Sequence, residues 1–435
     1  MLKSFFILFF APIANLAMLN TVFGADEKPI SESDHANETE QTQLAKKEAV
    51  EVPIEQEQAR EREKTSEEDP LAQRQTQQQD DPEAAAEEPS SYNLYASIRV
   101  RYQSVDGETV WNDGNSRFGI DGRWHYGSQK WIFGRAEAGI NLLDEVSQIF
   151  GGGASSSESS HGDSIFTRLL YVGVETPDTM FTYGKNWSTY YQVAGFTDRF
   201  DVGGASAAGA FNAGTDGGAT GTGRADSVIQ TRLLADVFPA KWKLKPFMVN
   251  LQIQHGEPIP QVDGENYGTA VGMSAIVNFT NDISVGLAVN HADVINQKEE
   301  NIINAGLQGN EQATVLGVRW FNENWYLSTV VADLRNHEAT DEGTYFSGVG
   351  WEGYGRYNLY KKLWLVSGWN YLEPHSDQKQ AGEYQIKYGV LGLRYALNED
   401  FDRLVYLMAQ LDDSSSEDGT EIGDVYTLGF RWDFK

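Results

Sequence analysis

The 435-residue chain contains no cysteine, which excludes disulfide staples and thiolate metal sites and suits a polypeptide that crosses an oxidising compartment unpaired. Its formal charge is −29, so no nucleic-acid partner is expected. Much of that charge lies near the N-terminus, so the overall balance says little about the rest.

Residues 1–24 read as a secretory signal. Lys3 supplies the positive start, Phe5 to Val22 the apolar core, and Val22, Phe23 and Gly24 a cleavage site before Ala25. Pro12, Asn15 and Asn20 interrupt the run, against a spanning anchor. Residues 25–90 shift to Glu, Gln, Asp, Lys and Ala, with too little apolar surface to offset the entropy of ordering. They are expected to form a disordered acidic extension. Leu44, Ala45, Ala49, Val50, Val52 and Ile54 could start a short helix, but Pro53 intervenes and no heptad persists.

From residue 91 onward the pattern is that of strands. Tyr95, Ser97, Arg99 and Arg101 alternate with Leu94, Ala96, Ile98, Val100 and Tyr102, a period of two with one apolar and one charged face. Leu391, Leu393 and Tyr395 against Gly392 and Arg394, then Leu428, Phe430 and Trp432 against Thr427, Gly429 and Arg431, repeat it. That suits lipid outside and water inside. Tight turns are predicted at Gly127–Ser128, Pro177–Asp178, Pro239–Lys241, Thr280–Asp282, Asn322–Asn324, Tyr360–Lys362 and Asn398–Asp400. Longer polar stretches lie between them near 103–114, 143–163, 188–222, 256–265, 293–303, 335–344, 373–384 and 412–421. Seven short turns alternating with eight long loops join 16 antiparallel strands, an even count as in bacterial membrane barrels. Trp124, Tyr126, Trp131, Phe133, Phe238, Trp242, Phe279, Trp320, Trp325, Tyr360, Trp364, Phe401, Trp432 and Phe434 fall near the short turns or the C-terminus. They are expected to form an interfacial girdle.

The third long stretch stands apart. Between Asp198 and Asp201 near its start and Arg224 at its end it is almost purely Gly, Ala, Ser, Thr and Asn. An aperiodic segment of about 35 residues in a compact domain needs a job, and small side chains let a backbone line a confined space without filling it. It is expected to fold into the lumen.

These features resemble the general diffusion porins of Gram-negative outer membranes, most specifically in TRLLYVGVETPDTMFTYGKNWSTYYQVAGFTDRFDVGG. The resemblance implies a trimeric, 16-stranded, all-β transmembrane barrel whose third loop constricts a water-filled pore for small hydrophilic solutes and ions. It carries the family's constriction arginines onto Arg117, Arg168 and Arg224, and the loop carboxylates onto Asp198 and Asp201. Arg99 and Arg101 share the face of Ser97, which stands where the family has a lysine. Arg123, Arg135, Lys185, Asp216 and Asp226 are further lumen charges. Alternation puts Arg117 with Gly119 and Asp121, but it also groups Arg168 with Leu170, a less clean projection. The segment Asp201–Val202–Gly203–Gly204 lacks the family's proline, and Phe434 is followed by Lys435.

An enzyme is not expected. The histidines at 35, 125, 161, 255, 291, 337 and 375 accompany no G-x-S-x-G or H-E-x-x-H motif, and no cofactor is called for. Calcium binding by the Gly/Asp loop lacks the nonapeptide period. Two other readings stay open: a structural protein, either an adhesin displayed by the long loops or a tether reaching the cell wall or periplasmic partners through residues 25–90, and a substrate-specific channel with an aromatic stripe beginning at Tyr190, Tyr191 and Phe196.

Overall fold

The computed structural model describes residues 90–105, 107–127, 129–143, 165–235, 247–279 and 282–434. The signal, the acidic extension, most of the 143–163 stretch, Phe238, Trp242 and Lys435 lie outside the described residues.

Sixteen strands close into one antiparallel sheet. They are β1 (Ser91–Val105), β2 in two segments (Glu108–Asp113 and Ser116–Gly127), β3 (Lys130–Ile140), β4 (Ile165–Glu175), β5 (Thr179–Trp187), β6 (Arg224–Ala235), β7 (Phe247–His255) and β8 (Tyr267–Asn278). The remainder are β9 (Ile283–Val294), β10 (Glu311–Phe321), β11 (Trp325–Ala339), β12 (Tyr345–Tyr360), β13 (Leu363–Pro374), β14 (Ile386–Ala396), β15 (Arg403–Asp412) and β16 (Val425–Phe434). Each pairs with its chain neighbour, and β16 returns to β1 from Ala96↔Phe434 to Val105↔Val425. Closure leaves no unpaired edge, the condition for strands to cross lipid.

The side-chain period follows from this geometry. On β14, Leu391, Leu393 and Tyr395 are exposed while Val390, Arg394 and Ala396 are buried inside. Such outward rows of Leu, Val, Ile and Phe recur around the ring and form the lipid face. Trp124, Tyr126, Phe279, Trp320, Tyr360 and Phe434 are exposed near short-turn ends, as a girdle requires. Trp131, Phe133 and Trp364 depart from that expectation. Trp131 and Phe133 share parity with Arg135 and Glu137, so they point inward and are buried. Trp364 packs inside with Ala396 and Leu404.

The first long stretch also departs from expectation. Residues 103–114 continue the hairpin, with Gln103 opposite Val110 and Val105 opposite Glu108, and Gly107 takes the left-handed conformation at the tip (φ 85°). Beyond the lipid a ladder can run on in water, where polar side chains do not argue against strand.

Candidate functional site

On one arc of the ring, arginines converge on a single carboxylate. Glu137 of β3 receives Arg168 Nε at 3.0 Å, Arg135 Nη2 at 3.0 Å and Arg117 Nη1 at 4.0 Å. The Tyr95 hydroxyl donates to Glu137 Oε2 at 2.8 Å and accepts from Arg135 Nε at 2.7 Å. Arg99 donates to Ser97 Oγ at 2.8 Å and stands opposite Arg431, which pairs with Asp433 at 2.8 Å. The five guanidiniums named here outnumber the two carboxylates, so this patch carries a surplus of positive charge.

Arg168 reaches the lumen through a bulge. Glu137 pairs with Leu169 but Ala138 pairs with Thr167, so Arg168 is an extra residue on β4. Arg168 and Leu169 are both buried while Ile165, Leu170, Val172 and Val174 are exposed. Strict alternation groups Arg168 with lipid-facing Leu170, and the inserted residue re-aims it.

The opposite arc carries the Gly/Ala segment. After β5 the chain makes one short helix, α1 (Tyr191–Ala194), and returns to β6 at Arg224. Between them the backbone has no ladder, so its polar groups need other partners. Glu352 of β12, fully buried, accepts from Ala207 N at 2.7 Å, Ala208 N at 2.9 Å and Thr197 Oγ1 at 2.6 Å. Asn370 accepts from Ser206 N at 3.1 Å. From β7 and β9, Gln252, Gln254 and Asn290 donate to the carbonyls of Gly221, Gly218 and Thr220 at 2.6, 3.0 and 2.8 Å. Apolar contact adds to this: Tyr190, Val193, Phe196, Ala207, Ala208 and Ala210 pack with Ala288, Val315, Val330 and Leu334 of β9–β11. Tyr190 and Phe196 are thus buried between loop and wall and do not begin an aromatic stripe along a water path. Tyr191 instead stacks on Trp187 (3.9 Å, 16°).

Glycine lets the loop sit this close. A Cβ at Gly350 would lie 1.6 Å from the Ala207 carbonyl oxygen, a backbone atom that must then move. Gly350→Ala is therefore expected to lift the loop at Ala207, at a cost of roughly 1–3 kcal/mol. The readout is new protease cleavage between residues 200 and 215. Gly389→Ala, whose Cβ meets nothing closer than 3.8 Å, should leave cleavage unchanged.

The expected acidic residues find partners of different kinds. Asp201 pairs with Arg394 of β14 (Nη2 2.7 Å, Nε 2.9 Å), and its carbonyl accepts from Arg101 Nη2. Arg101 Nε also donates to the Tyr406 hydroxyl at 3.3 Å. Asp198 accepts from the Tyr191 hydroxyl at 2.5 Å. Burial and the Asp198 carboxylate push the Tyr191 phenol well above its ordinary value. Arg224 lies at the loop base, not in the Glu137 cluster: it pairs with Asp216 at 3.5 Å and sits over Trp187 at 5.3 Å. Lys185 bridges Asp216 (2.9 Å) and Asp226 (2.6 Å). Burial pushes the Asp216 carboxyl up, but Lys185 and Arg224 more than offset this and hold it below its ordinary value. Arg123 pairs with Glu175 at 3.3 Å. Sequence reasoning missed Glu137, Glu352 and the pairing of Arg394. Glu137 was accessible, because it shares parity with Arg135.

No family model matches the chain. Among curated proteins it is 26% identical over 395 residues to outer membrane protein S2 of Salmonella typhi, covering 80% of this chain and 96% of that one. It is 24% identical over 351 residues to the outer membrane porin PhoE of Salmonella typhimurium, covering 79% and 91%. Among solved structures, Salmonella typhi OmpF in complex with daunomycin superposes with a TM-score of 0.62 at 18% identity, over 79% of this chain and 97% of that one. An anion-selective porin from Comamonas acidovorans gives 0.56 at 14% identity, over 79% and 100%. The structural likeness bears on the fold, while the curated relatives bear on what the barrel is for. Over about four fifths of its length the chain is thus similar in sequence to outer membrane porins of Gram-negative bacteria, and its barrel is similar to theirs.

Proposed function

We propose that the segment 188–223 narrows this channel, and that small hydrophilic solutes and ions cross between it and the arginine-rich arc formed by β16 and β1–β4. The observation that carries the reading is the division of the ring. The loop's backbone is held mostly by lumen-facing side chains of β7, β9, β12 and β13, with Arg101 of β1 reaching the Asp201 carbonyl, whereas Arg99, Arg117, Arg135, Arg168 and Arg431 lie on the opposite arc. Asp198, Asp201 and the arginines then set a transverse field across a low-dielectric aperture, where screening is weaker than in bulk. Polar solutes align with that field and pass, while apolar ones must displace ordered water. Asp201 contributes as an ion pair with Arg394, and Arg224 supports the loop base.

The same reading has residues 1–24 removed as a signal, 25–90 extending into the periplasm, 91–435 forming the barrel, and three copies assembling side by side. Support for the trimer and the extension comes from the resemblance and from composition.

Planar-bilayer recording of the purified protein tests it. Wild type should close in three equal steps. Arg117→Ser/Arg168→Ser and Asp198→Asn/Asp201→Asn should move the reversal potential in opposite directions. A silent wild type, or two double variants with unchanged selectivity, would make the loop a plug or a strut.

A further inference from the structure

A second cluster, outside the aperture charges, lies under the loop near the far ends of β10 and β11. The β11–β12 register slips between Leu334↔Gly348 and Glu338↔Phe346, which leaves two extra residues on β11, and Asn336 takes φ 48° there. Strict alternation from Leu334 would send His337 outward; the slip buries both His337 and Glu338. His337 Nδ1 meets Glu311 Oε1, and its Nε2 faces the Gly209 carbonyl at 2.7 Å. Asn212 of the loop donates to the His337 carbonyl at 3.0 Å, and Glu338 accepts from Ala213 N at 3.3 Å.

A carbonyl only accepts, so Nε2 carries a hydrogen; a carboxylate at Nδ1 needs a second proton between ring and carboxyl. A ring with one hydrogen cannot serve both acceptors. The other titratable groups around the ring and its carboxylates are Glu338 (3.8 Å from Nε2) and the tyrosines that feel it: Tyr190 at the loop base, Tyr267 of β8, Tyr345 of β12 and Tyr384. Asn290 donates to Glu311 at 3.4 Å. Of the titratable groups named, the imidazole is the one able to carry positive charge. Among the described residues no group of three or more His, Asp or Glu is arranged to hold a metal ion.

We infer that His337 is a positioning residue for the loop, clipping the Gly209 carbonyl through a ring whose second proton Glu311 retains, so that the seat of residues 205–213 depends on that proton. This rests on the reading that the loop narrows the channel. It adds a specific clip, on the wall, to what sets the aperture.

Hydrogen exchange of the full chain, followed in peptides spanning 205–215 and corrected for intrinsic rates, tests the clip. His337→Ala should lower protection there at least about tenfold, the loss expected for one charge-assisted hydrogen bond. His337→Gln, which can donate a single hydrogen, should restore part of it. In wild type, protection should step down as the ring loses its proton, and the step should be absent from His337→Gln. Unchanged protection in His337→Ala, or the same pH step in His337→Gln, would overturn the inference. If strand peptides also lose protection in the histidine variants, Glu311→Gln decides: a shifted pH step supports the clip and an unshifted one overturns it. Conductance separates the two readings. Lost protection with unaltered conductance keeps the clip and removes the narrowing role. Conductance that follows the Asp198/Asp201 variants, with protection indifferent to His337, does the reverse.

Discussion

Glu352→Ala is expected to free the crest of the loop and turn a quiet open channel into one that flickers between conductance levels. The side chain is wholly buried and accepts from Thr197, Ala207 and Ala208. Its removal strands those donors away from water, and each unsatisfied buried group costs about 1–3 kcal/mol. The segment has no ladder of its own to fall back on, so the summed loss exceeds what the neighbouring Asn370 contact can hold. Glu352→Gln keeps one acceptor oxygen and the shape, and should restore much of the quiet state. Single-channel records of the two variants against wild type decide the matter. A steady trace from Glu352→Ala would mean that apolar packing of Ala207 and Ala208 holds the loop without the carboxylate.

Glu137→Ala should have the largest effect on selectivity and a comparable one on stability. Three guanidiniums converge on this carboxylate, and Tyr95 ties it to Arg135. Removing one partner of a buried ionic network typically costs about 3–5 kcal/mol, because the charges left behind remain desolvated. The barrel should therefore unfold at lower denaturant concentration, and the reversal potential should move toward anions as the arginines spread into the lumen. Glu137→Gln, which keeps the hydrogen-bond geometry, should share the shift in reversal potential but lose less stability. Equal destabilisation by both would assign the stability to charge alone. An unmoved reversal potential in both would take this cluster out of the solute path.

Most of the fold is legible in the chain because a barrel in lipid imposes the same rule on every strand: alternate side chains face hydrocarbon. The outward row of Leu391, Leu393 and Tyr395 and the inward turn of Arg394 follow from that rule alone. The alternation of short and long connections supplies the strand count. What escaped notice are the places where the rule is broken by inserted residues. Arg168 and His337 both face inward because the register slips beside them, and neither slip has a mark in composition, since an extra residue in a strand looks like any other. The site was half legible for a similar reason. Which charges share the lumen can be counted along a strand, but which of them touch depends on register across strands and on how the loop lies. Asp201 meets Arg394, while Arg117 and Arg168 meet Glu137.

The way the loop is held also fixes when it can take shape. Its tip is bound by partners that come much later in the chain: Glu352 is 145 residues beyond Ala207, His337 128 beyond Gly209, and Arg394 193 beyond Asp201. Contacts of such separation form only after the intervening chain is already ordered, because the loop-closure entropy must be met first. The segment between β5 and β6 is thus among the last parts to settle, seated on a wall whose strands have already met. Until then its part beyond Asp201 exposes mostly Gly, Ala, Ser and Thr, side chains that water tolerates and that give a neighbouring unfolded chain little to stick to.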